Sequence, residues 1–138
     1  FWMDDQKDHY FNHEIYLLPG QMIPEHGHMA HEGKPAKMEG WMVRYGSCYN
    51  FGDGDKGSVA IAEGVKKYAN QGFRIPKSQE KFITAPKVEY LTLGEVRYLG
   101  KATRKHFLMG GTEGVIVNEG ANIHVGGGLR FTNPDVKL

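Results

Sequence analysis

The chain is written as short extended runs cut by glycine, and that punctuation restricts it to an all-β architecture. EIYLL, MIPEHGHM, GWMVRYGSCYNF, GSVAIA, KFITA, VEYLTL, EVRYL, HFLM and VIVNE carry the β-branched, aromatic or alternating character of strands, and glycine, at 19 residues, punctuates them. Many short strands joined by glycine-rich turns predict a sandwich or a barrel. FGDGDKG and GGTEG read as hairpin signals. Only AEGVKKYA, residues 62 to 69, has helical character, and Gly64 weakens it. Internal repeats and low-complexity linkers are absent from the sequence, so we expect one domain over residues 1–138.

Charge and cysteine content exclude several partners. The 17 basic and 16 acidic residues leave a formal net charge of +1, spread without the basic stripe that a nucleic-acid partner requires. Lys101 to Lys105, the densest basic stretch, reads as a solvated turn. A run of 18 apolar residues is absent, so no membrane span is expected. The single cysteine, Cys48, excludes an internal disulfide framework and fits a reducing, cytoplasmic setting. It lies inside a strand pattern, where a small buried hydrophobe is the commoner role than a nucleophile.

Chemistry concentrates between Pro24 and Glu39, in PEHGHMAHEGKPAKME. Side chains at i and i+2 of a strand share a face, so His26 and His28 project two imidazoles into one space ~6–7 Å apart along the backbone. Glu39 opens the next run after a loop marked by Gly33 and Pro35, and His106, in RKHFLMGG, is the leading distant fourth ligand. Three imidazoles and a carboxylate suit one divalent metal, Mn, Fe, Co, Ni or Zn, with an open position for a ligand. For His106 to meet the pair some 80 residues earlier, remote strands must pair in the manner of a jelly roll. His9, His13 and His31 are expected at the surface.

Parity extends this picture. If Glu39 points inward, Trp41, Val43 and Tyr45 share its face unless a bulge intervenes, and Met42, Arg44, Cys48 and Asn50 lie opposite. An aromatic-lined cavity, with Trp41 and Tyr45 as substrate contacts, follows from that alternation.

The order and spacing of longer blocks resemble the D-lyxose isomerase family of cupin-type sugar isomerases. The matching pieces are LLPGQMIPEHGH at Leu17 to His28, KMEGWMVRYG at Lys37 to Gly46, KHFLMGGTEGVIVNE at Lys105 to Glu119 and FTNP at Phe131 to Pro134, with 51–87 lacking close correspondence. The resemblance implies a double-stranded β-helix, a jelly-roll barrel, holding one metal per chain, usually manganese, on His26, His28, Glu39 and His106. It also implies a homodimer and a small sugar as substrate, such as D-lyxose converted to D-xylulose or D-mannose converted to D-fructose. Isomerisation of that kind removes a proton next to a carbonyl and needs positive charge to hold the enediolate, supplied in part by the metal as Lewis acid. A carboxylate must move the proton between two carbons. By resemblance Glu119 takes that place, and Lys37 lies near the sugar oxygens.

The chain departs from the family's pattern in GANIHVGGGLRFTNP, where an acidic stretch ending I-F-T-D-P is expected. His124 and Arg130 stand there as candidate substrate contacts, and Gly126 to Gly128 suggest a flexible loop more than a phosphate cradle. Two other classes share the same ligand set: an iron-dependent oxygenase and a catalytically silent sugar-binding barrel.

Overall fold

The computed structural model describes residues 1–137. Nine strands carry the fold: β1 (Trp2–Asp5), β2 (Tyr10–Leu17), β3 (His26–His28), β4 (Glu39–Gly52), β5 (Val59–Ala60), β6 (Lys87–Thr92), β7 (Val96–Tyr98), β8 (Phe107–Ala121) and β9 (Leu129–Phe131). Two short helices, α1 (Ile61–Lys67) and α2 (Lys77–Glu80), fill the connection before β6. The larger sheet runs β1-β2-β8-β4-β6-β5, with β7 also paired to β4, and β3 with β9 forms a second, two-stranded sheet. Every pairing in both sheets is antiparallel. A backbone bridge between His26 and His106, with N–H···O distances of 3.1 and 2.9 Å, ties the small sheet to the start of β8.

Two apolar clusters fill this frame. Leu17, Trp41, Val43, Cys48, Leu91, Leu108, Val115 and Val117 form one, and Tyr49, Phe51, Val88, Phe107 and Met109 pack with Tyr68 and Phe73 from the helical connection in the other. Burial pushes the Cys48 thiol up to about 12. Cys48 is therefore expected to react with a thiol reagent at pH 8 only after denaturation, because the thiolate is the reactive form; a rapid native-state titre would contradict this.

Several expectations about local structure are corrected. KFITA lies outside the strands, and only His26–His28 of MIPEHGHM is extended. FGDGDKG is not a hairpin, since β4 and β5 do not pair; β5 instead pairs with β6. GGTEG is not a turn either but the middle of the continuous β8. There Gly114, at φ 74°, meets Gly46, at φ 66°, so closely that a Cβ on Gly46 would lie 2.1 Å from Gly114 O. Glycine thus buys an irregularity within two long paired strands, which bends the sheet without ending it. Gly126–Gly128 forms a 3₁₀ turn, in which a Cβ on Gly128 would lie 2.6 Å from Met29 O, so the segment is closely packed.

Candidate metal centre

The ligating atoms of His26, His28, Glu39 and His106 all lie within 4.8 Å of one another. Each reaches this point from a different constraint. His26 and His28 are the alternate residues of β3, His106 is bridged to His26 through the backbone, and Glu39 begins β4. Glu39 Oε1 stands 3.1 Å from His28 Nε2 and 2.6 Å from His106 Nε2. Metal–ligand bonds of ~2.1 Å place neighbouring donor atoms ~3 Å apart and opposite ones ~4.2 Å apart, so these spacings fit one small divalent ion.

Proton placement supports the same fit. His26 Nδ1–H donates to Pro24 O and His106 Nδ1–H to Arg104 O, each at 2.9 Å. Carbonyls only accept, so in the neutral rings both Nε2 atoms are lone pairs turned toward the cluster. Burial, reinforced by His106, lowers the His26 pKa to about 3, keeping that ring neutral. A lone pair 2.6 Å from a carboxylate oxygen is repulsive, and a cation among the four groups removes the conflict for all of them at once. Burial opposes the charge of the Glu39 carboxyl, but its surroundings, the Lys37 ammonium among them, hold the group well below the usual range. Glu39 is therefore ionised and suited to a hard divalent ion.

Glu25, within the same P-E-H-x-H motif, has a different task. Its carboxylate is buried and accepts from Thr84 N and Ala85 N, at 2.8 and 2.7 Å, and from the hydroxyls of Thr84 and Thr132. It pins the β3 approach to the loop before β6 and to the chain after β9. Glu25→Ala is expected to cost about 3 kcal/mol, because the buried Ala85 N–H loses a charged acceptor; the midpoint of urea unfolding measures this, and an unchanged midpoint would refute it.

A second group of polar residues adjoins the four. Lys37 is buried, with Nζ 2.6 Å from Glu39 Oε2 and a hydrogen bond to Glu119 Oε1. Burial opposes its charge, yet Glu39 and then Glu119 raise its pKa above the ordinary value, so it stays an ammonium. Glu119 is buried within β8, opposite Trp41 of β4 on one side and His13 of β2 on the other, and Trp41 in turn opposes Arg97 of β7. His13, Glu119, Trp41 and Arg97 thus form one transverse row across four strands, and residues directly opposite in such a row share a face.

Trp41 stacks on His106, with ring centroids 5.9 Å apart and an interplanar angle of 10°. Together they wall a cavity of about 250 Å³ that Asn50, Glu89, Arg97 and Tyr98 also line. Glu89 accepts from Asn50 Nδ2 at 3.0 Å and from Arg97 Nε at 3.2 Å.

Other site expectations need correction. Tyr45 is 57% exposed and away from the cavity, because the register with β8 shifts between Val43 and Tyr45 and breaks the alternation, leaving Arg44 exposed as well. A second shift follows between Gly46 and Cys48, and from Ser47 to Phe51 both faces are buried, Cys48 and Asn50 included. Arg130 lies opposite Gly27, is exposed, and spends its Nη1 on the carbonyls of Gly127 and Leu129. His124 does come near Glu119's neighbourhood: it stacks on Phe11 at 5.0 Å, and Lys37 passes 4.6 Å from the same Phe11 ring. Burial, and then the charge of Lys37, lowers the His124 pKa. His13, expected at the surface, is half-buried with Nε2 3.1 Å from Glu119 Oε1. Its place was readable only from strand register, since YFNHEIYL puts it on the face of the buried Phe11.

Comparison with known proteins bears on the fold and the ancestry of the chain. No family model matches the chain. It is 33% identical over 130 residues to the D-lyxose/D-mannose isomerase of Thermosediminibacter oceani and 31% identical over 130 residues to the D-lyxose ketol-isomerase of Cohnella laeviribosi. Each alignment takes in 94% of this chain and 65% of the relative, so the chain spans just under two thirds of the length of these proteins. Among solved structures, the L-ribose isomerase of Cellulomonas parahominis superposes with a TM-score of 0.68 at 15% identity, covering 92% of this chain and 59% of that one. An uncharacterized conserved protein with a double-stranded β-helix domain from Klebsiella pneumoniae superposes with a TM-score of 0.54 at 16% identity, covering 94% and 83%. The fold is the double-stranded β-helix of the cupins, and in sequence the chain is a relative of the D-lyxose isomerases.

Proposed function

We propose that this chain carries the centre of a metal-dependent aldose–ketose isomerase acting on a free sugar, with D-lyxose to D-xylulose or D-mannose to D-fructose as the first substrates to try. One observation carries the reading: a buried carboxylate outside the four-residue cluster, Glu119, is joined to it through the ammonium of Lys37.

His26, His28, Glu39 and His106 would hold the ion, with manganese as our choice; when bound, it supplies Lewis acidity at the sugar's carbonyl and neighbouring hydroxyl oxygens. Glu119 takes the proton from the carbon next to the carbonyl and returns it to the former carbonyl carbon, while the hydroxyl proton passes to the former carbonyl oxygen. Lys37, fixed between two carboxylates, offers a preorganised positive charge to the enediolate as it develops. Trp41 and the cavity beside His106 receive the sugar chain, with Asn50, Glu89 and Arg97 supplying both donors and acceptors to its hydroxyls. The names of the sequence relatives support this substrate class. A homodimer is part of the reading, for which exposed Met38, Val96 and Tyr98 offer an apolar surface; sedimentation velocity checks it.

The deciding experiment is a ketose assay over a panel of pentoses and hexoses with protein reconstituted with manganese, cobalt, nickel, zinc or ferrous iron. We expect isomerisation under nitrogen and incorporation of solvent deuterium at the carbon that exchanges. Turnover that requires ferrous iron and oxygen would replace the reading with an oxygenase. Sugar-dependent thermal stabilisation without deuterium exchange would replace it with a binding barrel.

A further inference from the structure

We infer that His13 is the positioning residue of Glu119: its ring holds Oε1 of the carboxylate together with Lys37, leaving Oε2 as the oxygen that handles the proton. The inference rests on the isomerase reading for its catalytic consequence, but its structural content stands separately.

Three observations carry it. First, His13 and Glu119 are direct partners in the β2–β8 ladder, so their side chains are brought together by backbone register and not by a loop. Second, His13 Nε2 is buried, lacks an aligned hydrogen bond, and stands 3.1 Å from Glu119 Oε1, the same oxygen that accepts from Lys37. A buried ring nitrogen without a partner costs free energy, and the carboxylate is the acceptor within reach. Hydrogen bonds in unliganded sites are commonly misaligned and tighten when substrate draws the carboxylate into place. Third, the ring is gripped by aromatic neighbours: Trp2 meets it edge-on at 5.3 Å, and Phe11 lies at 4.7 Å. Such packing fixes the ring plane, which a positioning donor requires.

The chemistry of the carboxylate makes the division of labour consequential. Two donors on one oxygen draw negative charge onto it and fix the carboxylate plane, so the remaining oxygen faces the substrate in a defined direction. A base that swings between orientations loses much of the benefit of proximity, and a misplacement of ~1 Å can cost ~10²-fold in rate. Lys37 bonds the same oxygen of Glu119, and nearby His124 feels the charges of Lys37, Asp4, Glu119 and His13.

Two substitutions separate positioning from packing. His13→Phe keeps an aromatic ring against Trp2 and Phe11 but removes the donor, whereas His13→Gln keeps a donor and removes the ring. We expect His13→Phe to lower kcat by ~10- to 10²-fold with KM little changed, and His13→Gln to recover most of that loss. Losing a hydrogen bond to the charged carboxylate should also move the acid limb of the kcat/KM profile to higher pH in His13→Phe, and less in His13→Gln. A His13→Phe enzyme with wild-type kcat and pH profile, or one more active than His13→Gln, overturns the inference in favour of packing. A readout independent of turnover is the ring nitrogen resonances of His13, assigned by their loss in His13→Gln. We expect Nε2 to carry a proton at neutral pH and its resonance to shift in Glu119→Gln, where the acceptor becomes a neutral amide; an unprotonated or unresponsive Nε2 overturns the inference. If no sugar is turned over but this signature is present, the isomerase reading fails while the His13–Glu119 pairing stands.

Discussion

Glu119→Gln is expected to lower turnover by about 10²–10⁴-fold while leaving metal content and unfolding midpoint near those of the wild type. Glutamine keeps the size of the side chain and an acceptor oxygen, so the buried site stays filled. What it loses is basicity, and with it the means to move a proton between carbons. The same variant removes the negative charge that Lys37 shares with Glu39, so Lys37 keeps only one of its two carboxylates. In deuterated solvent the wild type should label the exchanging carbon, and Glu119→Gln should leave it nearly unlabelled. Wild-type exchange and turnover in that variant would show that another group is the base and reduce Glu119 to an ion-pair partner.

His28→Ala should abolish stoichiometric metal binding. The wild type is expected to hold close to one divalent ion per chain after reconstitution. Deleting one of four donor groups should weaken affinity by more than the ~10–100-fold that follows loss of an outer-shell partner. His28 suits the test because its ring is buried and its Nε2 faces Glu39 Oε1 at 3.1 Å, so alanine leaves a gap at the centre of the cluster. Elemental analysis after gel filtration reads the result directly. Wild-type protein that stays metal-free after incubation with manganese would refute the metal reading altogether. Retention of a full equivalent by His28→Ala would mean that the ion sits elsewhere.

Both experiments address residues that stand out in the sequence. H-x-H is visible in a sequence because the two-residue repeat of a strand is local, and K-x-E is visible because it opens an equally clear strand pattern. The all-β class was legible for a related reason: short β-branched runs between glycines leave no amphipathic helix of useful length, and the two α-helices among the described residues are of seven and four residues. Turn assignments fared worse. GGTEG has the composition of a hairpin, yet the glycines serve the close approach of β8 to β4 and to the end of β2, a contact between distant parts of the chain.

What the sequence determined by itself was therefore periodic and local: the strand class, the paired imidazoles of His26 and His28, the carboxylate that opens β4. Tertiary structure decided which face each strand turns inward. Two irregularities break the alternation in β4, so Tyr45 is at the surface and both faces are buried from Ser47 to Phe51, although counting by twos from Glu39 puts Tyr45 inside and Cys48 and Asn50 on the other face. It also decided the company of Glu119. His13 and Trp41 reach it through the β2–β8 and β4–β8 ladders, and Lys37 through the loop before β4. None of these pairings is written in local spacing, because strand register is fixed by burial of whole faces and by bulge positions summed over both partners. The local pattern supplies the chemical groups, and the register between remote strands sets which of them meet.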